Sequence, residues 1–250
     1  MQPDVEAVRL FFTAFGAGEP ILLVHGWGGD GRSWDPVEFA GHRVVTVDLR
    51  GHGRSPVPSR GYRPYDYAFD LTKLIEALDL GPVVAVGHSM GGQIVVRLAI
   101  ERPDLVRAVV AIDPAYGADE VEAASFQQRL TDLRRDGAAA AVRQLGQLTD
   151  EVRDQLLRTP GDVLAESYAG MYTEPGAIGA RPAAAKALAS LERPVLCIRP
   201  TPSMAAWDLT CALRPGSRVV LWPGAGHFLH RERPEAFTRL VNSWLGQVGG

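Results

Sequence analysis

The stretch Gly87-His88-Ser89-Met90-Gly91 sets a serine hydroxyl between two glycines. The apolar run PVVAV precedes it and the helical pattern QIVVRLAI follows. A strand that turns sharply into a helix has this signature. Glycine at each flank lets the backbone pass where a larger side chain would collide. The hydroxyl is then pushed out at the strand end, above a helix N-terminus. The free N–H groups and dipole there favour developing negative charge. That is a setting for nucleophilic attack, but a serine hydroxyl is a poor nucleophile without a base. The chain has six histidines: His25, His42, His52, His88, His227 and His230. His227, in PGAGHFLH, follows the last apolar run and precedes the final helical pattern. A loop there can carry an imidazole back over the strand ends toward Ser89. His230 lies beside the charged RER and reads as a surface or supporting residue; His42 precedes a strand edge and reads as surface.

Such a site must be positioned by a framework, and the apolar runs supply one. PILLVHG, HRVVTVD, PVVAVGH, VRAVVAID, PVLCIRP and SRVVLWPG are rich in Val, Ile and Leu and barely alternate. Strands buried on both faces of a parallel sheet read this way. YAFDLTKLIEALDL, GGQIVVRLAIERP and PEAFTRLVNSWL space apolar side chains at three and four, as helices do. Strands alternating with helices predict an α/β doubly wound architecture. AVRLFFTAFGAGEP predicts a strand or short hairpin before the parallel core. From Pro114 to about Glu192 the alternation stops. EVEAASFQQRLTDLRRDGAAAAVRQLG and TDEVRDQLLRTP read as amphipathic helices. A helical insertion of this size predicts a lid over the carboxyl ends of the sheet or a packed extension.

The bulk properties exclude several function classes. A formal net charge of −3 without a basic stripe argues against a nucleic-acid partner. No apolar run approaches the ~18 residues of a membrane span, and MQPDVEAVRLFF does not read as a signal peptide, so a soluble, cytoplasmic protein is expected. Cys197 and Cys211 have neither zinc-like spacing nor a disulfide framework, and Cys197 in PVLCI reads as a buried structural thiol. HGWGGDG lacks the G-x-G-x-x-G spacing of dinucleotide sites. No cofactor and no metal are expected. Oligomeric state leaves no trace in the sequence.

Four motifs together resemble the α/β-hydrolase fold superfamily: HGWGGDGRSW from His25, DLRGHGRS from Asp48, GHSMGG from Gly87 and GAGHFLHRERPEAF from Gly224. The likeness spans nearly the whole chain. It implies a mostly parallel twisted sheet flanked by helices, with a helical cap inserted after the sixth strand. Residues 1–113 and 193–250 would form the core and 114–192 the cap. It also implies an oxyanion hole from the backbone N–H groups of Trp27 and Met90. Gly26, Trp27 and the cap residue Tyr172 are candidates for substrate binding. Phe126, Tyr168 and Met171 are further cap residues that could face a pocket, though their helical spacing also suits a core. Asp48 and Arg50 are expected to do structural work.

The acid that orients the histidine stands open. The family most often places it after the strand matching PVLCI, as glycine, two residues, then aspartate. Here those positions are Pro200 and Ser203. Asp113, ending VVAID, matches the position used by some members such as haloalkane dehalogenases. Asp208, in the helical pattern MAAWDLTCAL, is the alternative. A third possibility is that no carboxylate serves His227. The resemblance implies a serine hydrolase acting on an ester, lactone or thioester of a small to medium apolar substrate. Non-hydrolytic chemistry on the same fold, such as lyase, carbon–carbon bond cleavage or natural-product tailoring reactions, and a ligand-binding pseudoenzyme are the alternatives. An aspartate nucleophile, as in dehalogenases and epoxide hydrolases of this fold, is excluded by Ser89.

Overall fold

The computed structural model describes residues 5–248. The first four residues and Gly249-Gly250, at the two ends of the expected core segments, lie outside the described residues. The framework follows the apolar runs. In chain order it is β1 (Phe11–Phe15), β2 (Glu19–Val24), β3 (His42–Asp48), α1 (Pro64–Ala77), β4 (Val83–His88), α2 (Met90–Glu101) and β5 (Val106–Ile112). After six intervening helices come β6 (Val195–Arg199), α9 (Pro202–Asp208), β7 (Arg218–Leu221), α10 (Leu229–Glu232) and α11 (Pro234–Val248).

The strands form one sheet in the order β1-β3-β2-β4-β5-β6-β7. All neighbours are parallel except β1, which runs antiparallel to β3, with Phe11 opposite Asp48. A single strand, not a hairpin, therefore precedes the parallel core. The reason is geometric: β3 and β4 occupy both edges of β2, so β1 must take the outer edge of β3. Because side chains alternate across a strand, β4 feeds two cores. Val83 and Ala85 pack with Leu71, Ile94 and Leu98 on one face. Val84 and Val86 pack with Trp34, Phe237 and Trp244 on the other. Burial on both faces explains why the runs do not alternate.

The chain direction across the sheet reverses at β2, between β3 and β4. In open α/β sheets the crevice above such a reversal, at the carboxyl ends of the strands, is where ligands sit. The loop after β2 and the turn after β4 both open onto it.

The helices between β5 and β6 are α3 (Glu120–Ala123), α4 (Phe126–Asp136), α5 (Ala138–Leu145), α6 (Asp150–Arg158), α7 (Gly161–Tyr172) and α8 (Arg181–Ala189). Leu130, Leu133, Ala140, Leu156, Leu164 and Ala169 give four of them a small core of their own. α8 instead packs into the main core through Ala184 and Leu188. Counted along this chain the insertion follows the fifth strand, because only one strand precedes the parallel core.

Candidate active site

The serine turn is as cramped as its glycines suggest. A Cβ on Gly87 would lie 2.1 Å from the Gly91 carbonyl oxygen, and one on Gly91 would lie 2.3 Å from that of Val24. Ser89 itself takes φ +52°, a left-handed conformation that costs a non-glycine residue about 1–3 kcal/mol. Three backbone hydrogen bonds hold it there: its N–H donates to the Ile112 carbonyl at 2.9 Å, and its carbonyl accepts from Gly92 at 2.9 Å and from Ala115 at 3.0 Å. The side chain does not cap α2, so its hydroxyl is free for other work.

Gly26 sits against this turn. A Cβ there would come within 2.8 Å of His88 Nδ1 and 3.3 Å of Ser89 Cβ. Trp27 is anchored by its indole N–H, which donates to Ser167 Oγ at 3.0 Å and to the Leu164 carbonyl at 3.2 Å. This ties the loop after β2 to α7. The backbone N–H groups of Trp27 and Met90 take part in none of the turn, loop and cap hydrogen bonds of the described residues. Met90 opens α2, where the first N–H groups have no partner within the helix.

His227 lies on the loop between β7 and α10. Its Nδ1–H donates to Asp113 Oδ2 at 2.6 Å, which leaves Nε2 as the free nitrogen. Its carbonyl accepts from His88 Nε2–H at 2.9 Å. Burial, reinforced by the neighbouring His227 and His230 imidazoles, pushes His88 well below the usual imidazole range. His88 is therefore a neutral prop under the loop. Asp113 stands one residue past β5 and takes φ +36°, a second strained position at a strand end. Burial would raise its carboxyl. The hydrogen bond from His227, with the Arg199 guanidinium, outweighs that and holds it below the usual carboxylate range.

Asp208 does not meet His227. Its carboxylate accepts from Arg199 Nε at 2.7 Å and from the Cys197 thiol at 3.3 Å. Arg199 ends β6 with its side chain 1% exposed, and it bridges the two candidate acids. Nη1 donates to Asp113 Oδ1 at 3.3 Å and to the Pro114 carbonyl at 2.7 Å, and Nη2 donates to the Tyr116 carbonyl at 3.1 Å. The Cys197 thiol is buried and pushed upward by that burial. Sequence reasoning missed Arg199. The signal was available: a charged residue closes a buried apolar run, with a lone aspartate on the next helix. Arg199→Met should destabilise the fold by about 3–5 kcal/mol in urea unfolding, because Asp208 is then left buried and unpaired. Arg199→Met with Asp208→Leu should recover part of that loss.

Ser89, His227, Gly26, Trp27, Met171 and Tyr172 line one cavity of about 100 Å³. Tyr168 joins them. Phe126 does not line it and packs on Tyr172, ring centroids 4.5 Å apart. A hydrogen bond between the Ser89 hydroxyl and His227 is not among those the described residues form. Catalytic hydrogen bonds commonly tighten only when substrate binds. His230 corrects an expectation. It is wholly buried, 4.6 Å from the Trp34 ring and 4.7 Å from His88, because α10 folds back onto the core. Burial pushes it down to about 3, so it is neutral. Asp48 accepts from Gly31 and Arg54, and Arg50 pairs with buried Asp70 at 2.5 Å. Both are structural, as the sequence suggested. No group of three or more metal-ligating side chains occurs among the described residues.

The model of the Alpha/beta hydrolase family matches residues 21–240. The chain belongs to that family. It is 32% identical to the 2-(acetamidomethylene)succinate hydrolase of Mesorhizobium japonicum, covering 97% of this chain and 93% of that one. Among solved structures it is similar to a thermophilic esterase from Thermogutta terrifontis, in a malate-bound structure. The TM-score is 0.79 and the identity 27%, over 96% of this chain and 94% of that one. It is also similar to E-2-(acetamidomethylene)succinate hydrolase, with TM-score 0.75 and 25% identity over 96% of each chain. Among the described residues no helix is long and apolar enough to cross a membrane.

Proposed function

We propose that the protein is a serine hydrolase that cleaves a carboxylic ester, lactone or thioester of a small to medium substrate through an acyl-enzyme. The observation that carries this reading is the 2.6 Å bond from His227 to Asp113, beside a strained serine in the same cavity. Ser89 Oγ attacks the carbonyl carbon as His227 Nε2 takes its proton. The Trp27 and Met90 N–H groups, unused by the backbone, receive the oxyanion; each such donor is worth about 3 kcal/mol of barrier. His227 then gives the proton to the leaving oxygen or sulfur as that bond breaks. Water attacks the acyl-enzyme with its proton going to His227, which returns it to Ser89 Oγ as the acid departs. Asp113 holds the imidazole with Nε2 toward the cavity and stabilises the cation.

Residues 114–192 act as a cap over a core formed by 1–113 and 193–250, and they bring Tyr168, Met171 and Tyr172 to the substrate. The relatives named as an esterase and as hydrolases support the same reaction class. A fluorophosphonate probe should label Ser89, and p-nitrophenyl acetate should turn over. Labelling without turnover would move the reading to a non-hydrolytic enzyme. Neither signal would leave a binding protein.

A further inference from the structure

The walls of the cavity are mixed. Trp27, Leu145, Val152, Met171 and Tyr172 are apolar or aromatic. No carboxylate lines it among the described residues, and Arg129 of α4 is its one guanidinium. That guanidinium is loosely held. Its ion pair with Glu122 spans 3.8 Å, between side chains 42% and 47% exposed. The other arginine ion pairs of the described residues are all shorter. Gln144, which also lines the cavity, gives its amide N–H to the Arg129 carbonyl at 3.0 Å, so it fixes the backbone and does not occupy the guanidinium.

A second observation points the same way. Tyr168 is only 4% exposed and lines the cavity; its hydroxyl faces the Arg129 guanidinium, and its own O–H has no acceptor among the described residues. A buried hydroxyl donor without an acceptor is costly, and native folds rarely leave one so. Its ring is held 4.7 Å from Tyr172 and 5.9 Å from Trp27, so the hydroxyl has little freedom to seek solvent. A cation with a weak counter-ion and an idle O–H donor in one cavity fit a single acceptor. A guanidinium fork matches a carboxylate, and the tyrosine hydroxyl can donate to the same group.

We infer that the substrate carries a carboxylate besides its scissile carbonyl, bound by Arg129 and Tyr168 in the cavity that holds Ser89. This rests on the hydrolase reading above, and it adds an anionic end to the apolar substrate expected from the sequence. The probes are p-nitrophenyl hydrogen succinate and neutral p-nitrophenyl butyrate. The wild-type protein should favour the succinate in kcat/KM, and Arg129→Gln should lower the succinate-to-butyrate ratio about 10- to 100-fold. Arg129→Lys should retain part of the ratio, and Tyr168→Phe should lower it less than Arg129→Gln. A ratio unchanged in Arg129→Gln overturns the inference and leaves the hydrolase reading intact. A binding arm separates the two. Calorimetry with the Ser89→Ala protein should show monoethyl succinate binding more tightly than ethyl butyrate, and adding Arg129→Gln should remove the difference. Arg129-dependent binding without turnover of either ester by the wild type would sink the hydrolase reading and keep the carboxylate site. Equal binding of the two ligands would overturn the site.

Discussion

Asp113→Asn should lower kcat on p-nitrophenyl acetate about 10⁴-fold while the protein stays folded. The asparagine amide cannot accept from His227 Nδ1 with the charge a carboxylate brings, and its own N–H₂ group favours the wrong tautomer. Nε2 would then carry the proton and could not take one from Ser89. The backbone should tolerate the change, since asparagine is among the residues least penalised at the positive φ found here. Asp208→Asn is the control. Its carboxylate serves Arg199 and Cys197, so that variant should lose stability and keep most of its turnover. A large loss of kcat in Asp208→Asn alone, with Asp113→Asn active, would overturn the assignment of the acid.

The same pair of residues shows how far the sequence could be read. Ser89 announced itself because three local features coincide: a buried run, a glycine-flanked turn and a helix start. Each is written within a few residues of the others. His227 was readable from its place after the last strand. The sheet was readable because strands buried on both faces must be apolar throughout. Which carboxylate meets His227 was ambiguous for a different reason. Whether Asp113 or Asp208 meets His227 depends on what fills the space beyond β6, and that is decided by Arg199. Its side chain reaches both carboxylates, and it leaves Asp113 one oxygen for the imidazole. Such a bridge spans 86 residues of chain in one direction and 9 in the other, so no local pattern carries it. His230 failed for a similar reason. Its charged neighbours suggest solvent, yet the short helix α10 turns the imidazole under Trp34. The insertion was legible as helices but not as a pocket wall, because Tyr168 and Phe126 share the same helical spacing and only packing separates them.

Ser89→Ala carries the largest expected effect, a fall in kcat of about 10⁶-fold, since nucleophile and base act as a unit and removal of either costs nearly the whole contribution. The loss should not come from unfolding. Alanine keeps the Cβ that already fits beside Gly26, and the strained φ is imposed by backbone bonds with Ile112, Gly92 and Ala115 that do not involve the hydroxyl. Stability should change little, because the hydroxyl caps nothing and supports no neighbour. An unfolding midpoint close to wild type, together with loss of fluorophosphonate labelling, would tie the kinetic effect to chemistry. What remains should be the slow attack of water on a carbonyl still polarised by the Trp27 and Met90 amides, so residual turnover above the uncatalysed rate is part of the expectation. Retention of wild-type kcat by Ser89→Ala would mean that the strained turn holds its serine for some other purpose, and the acyl-enzyme route would fall with it.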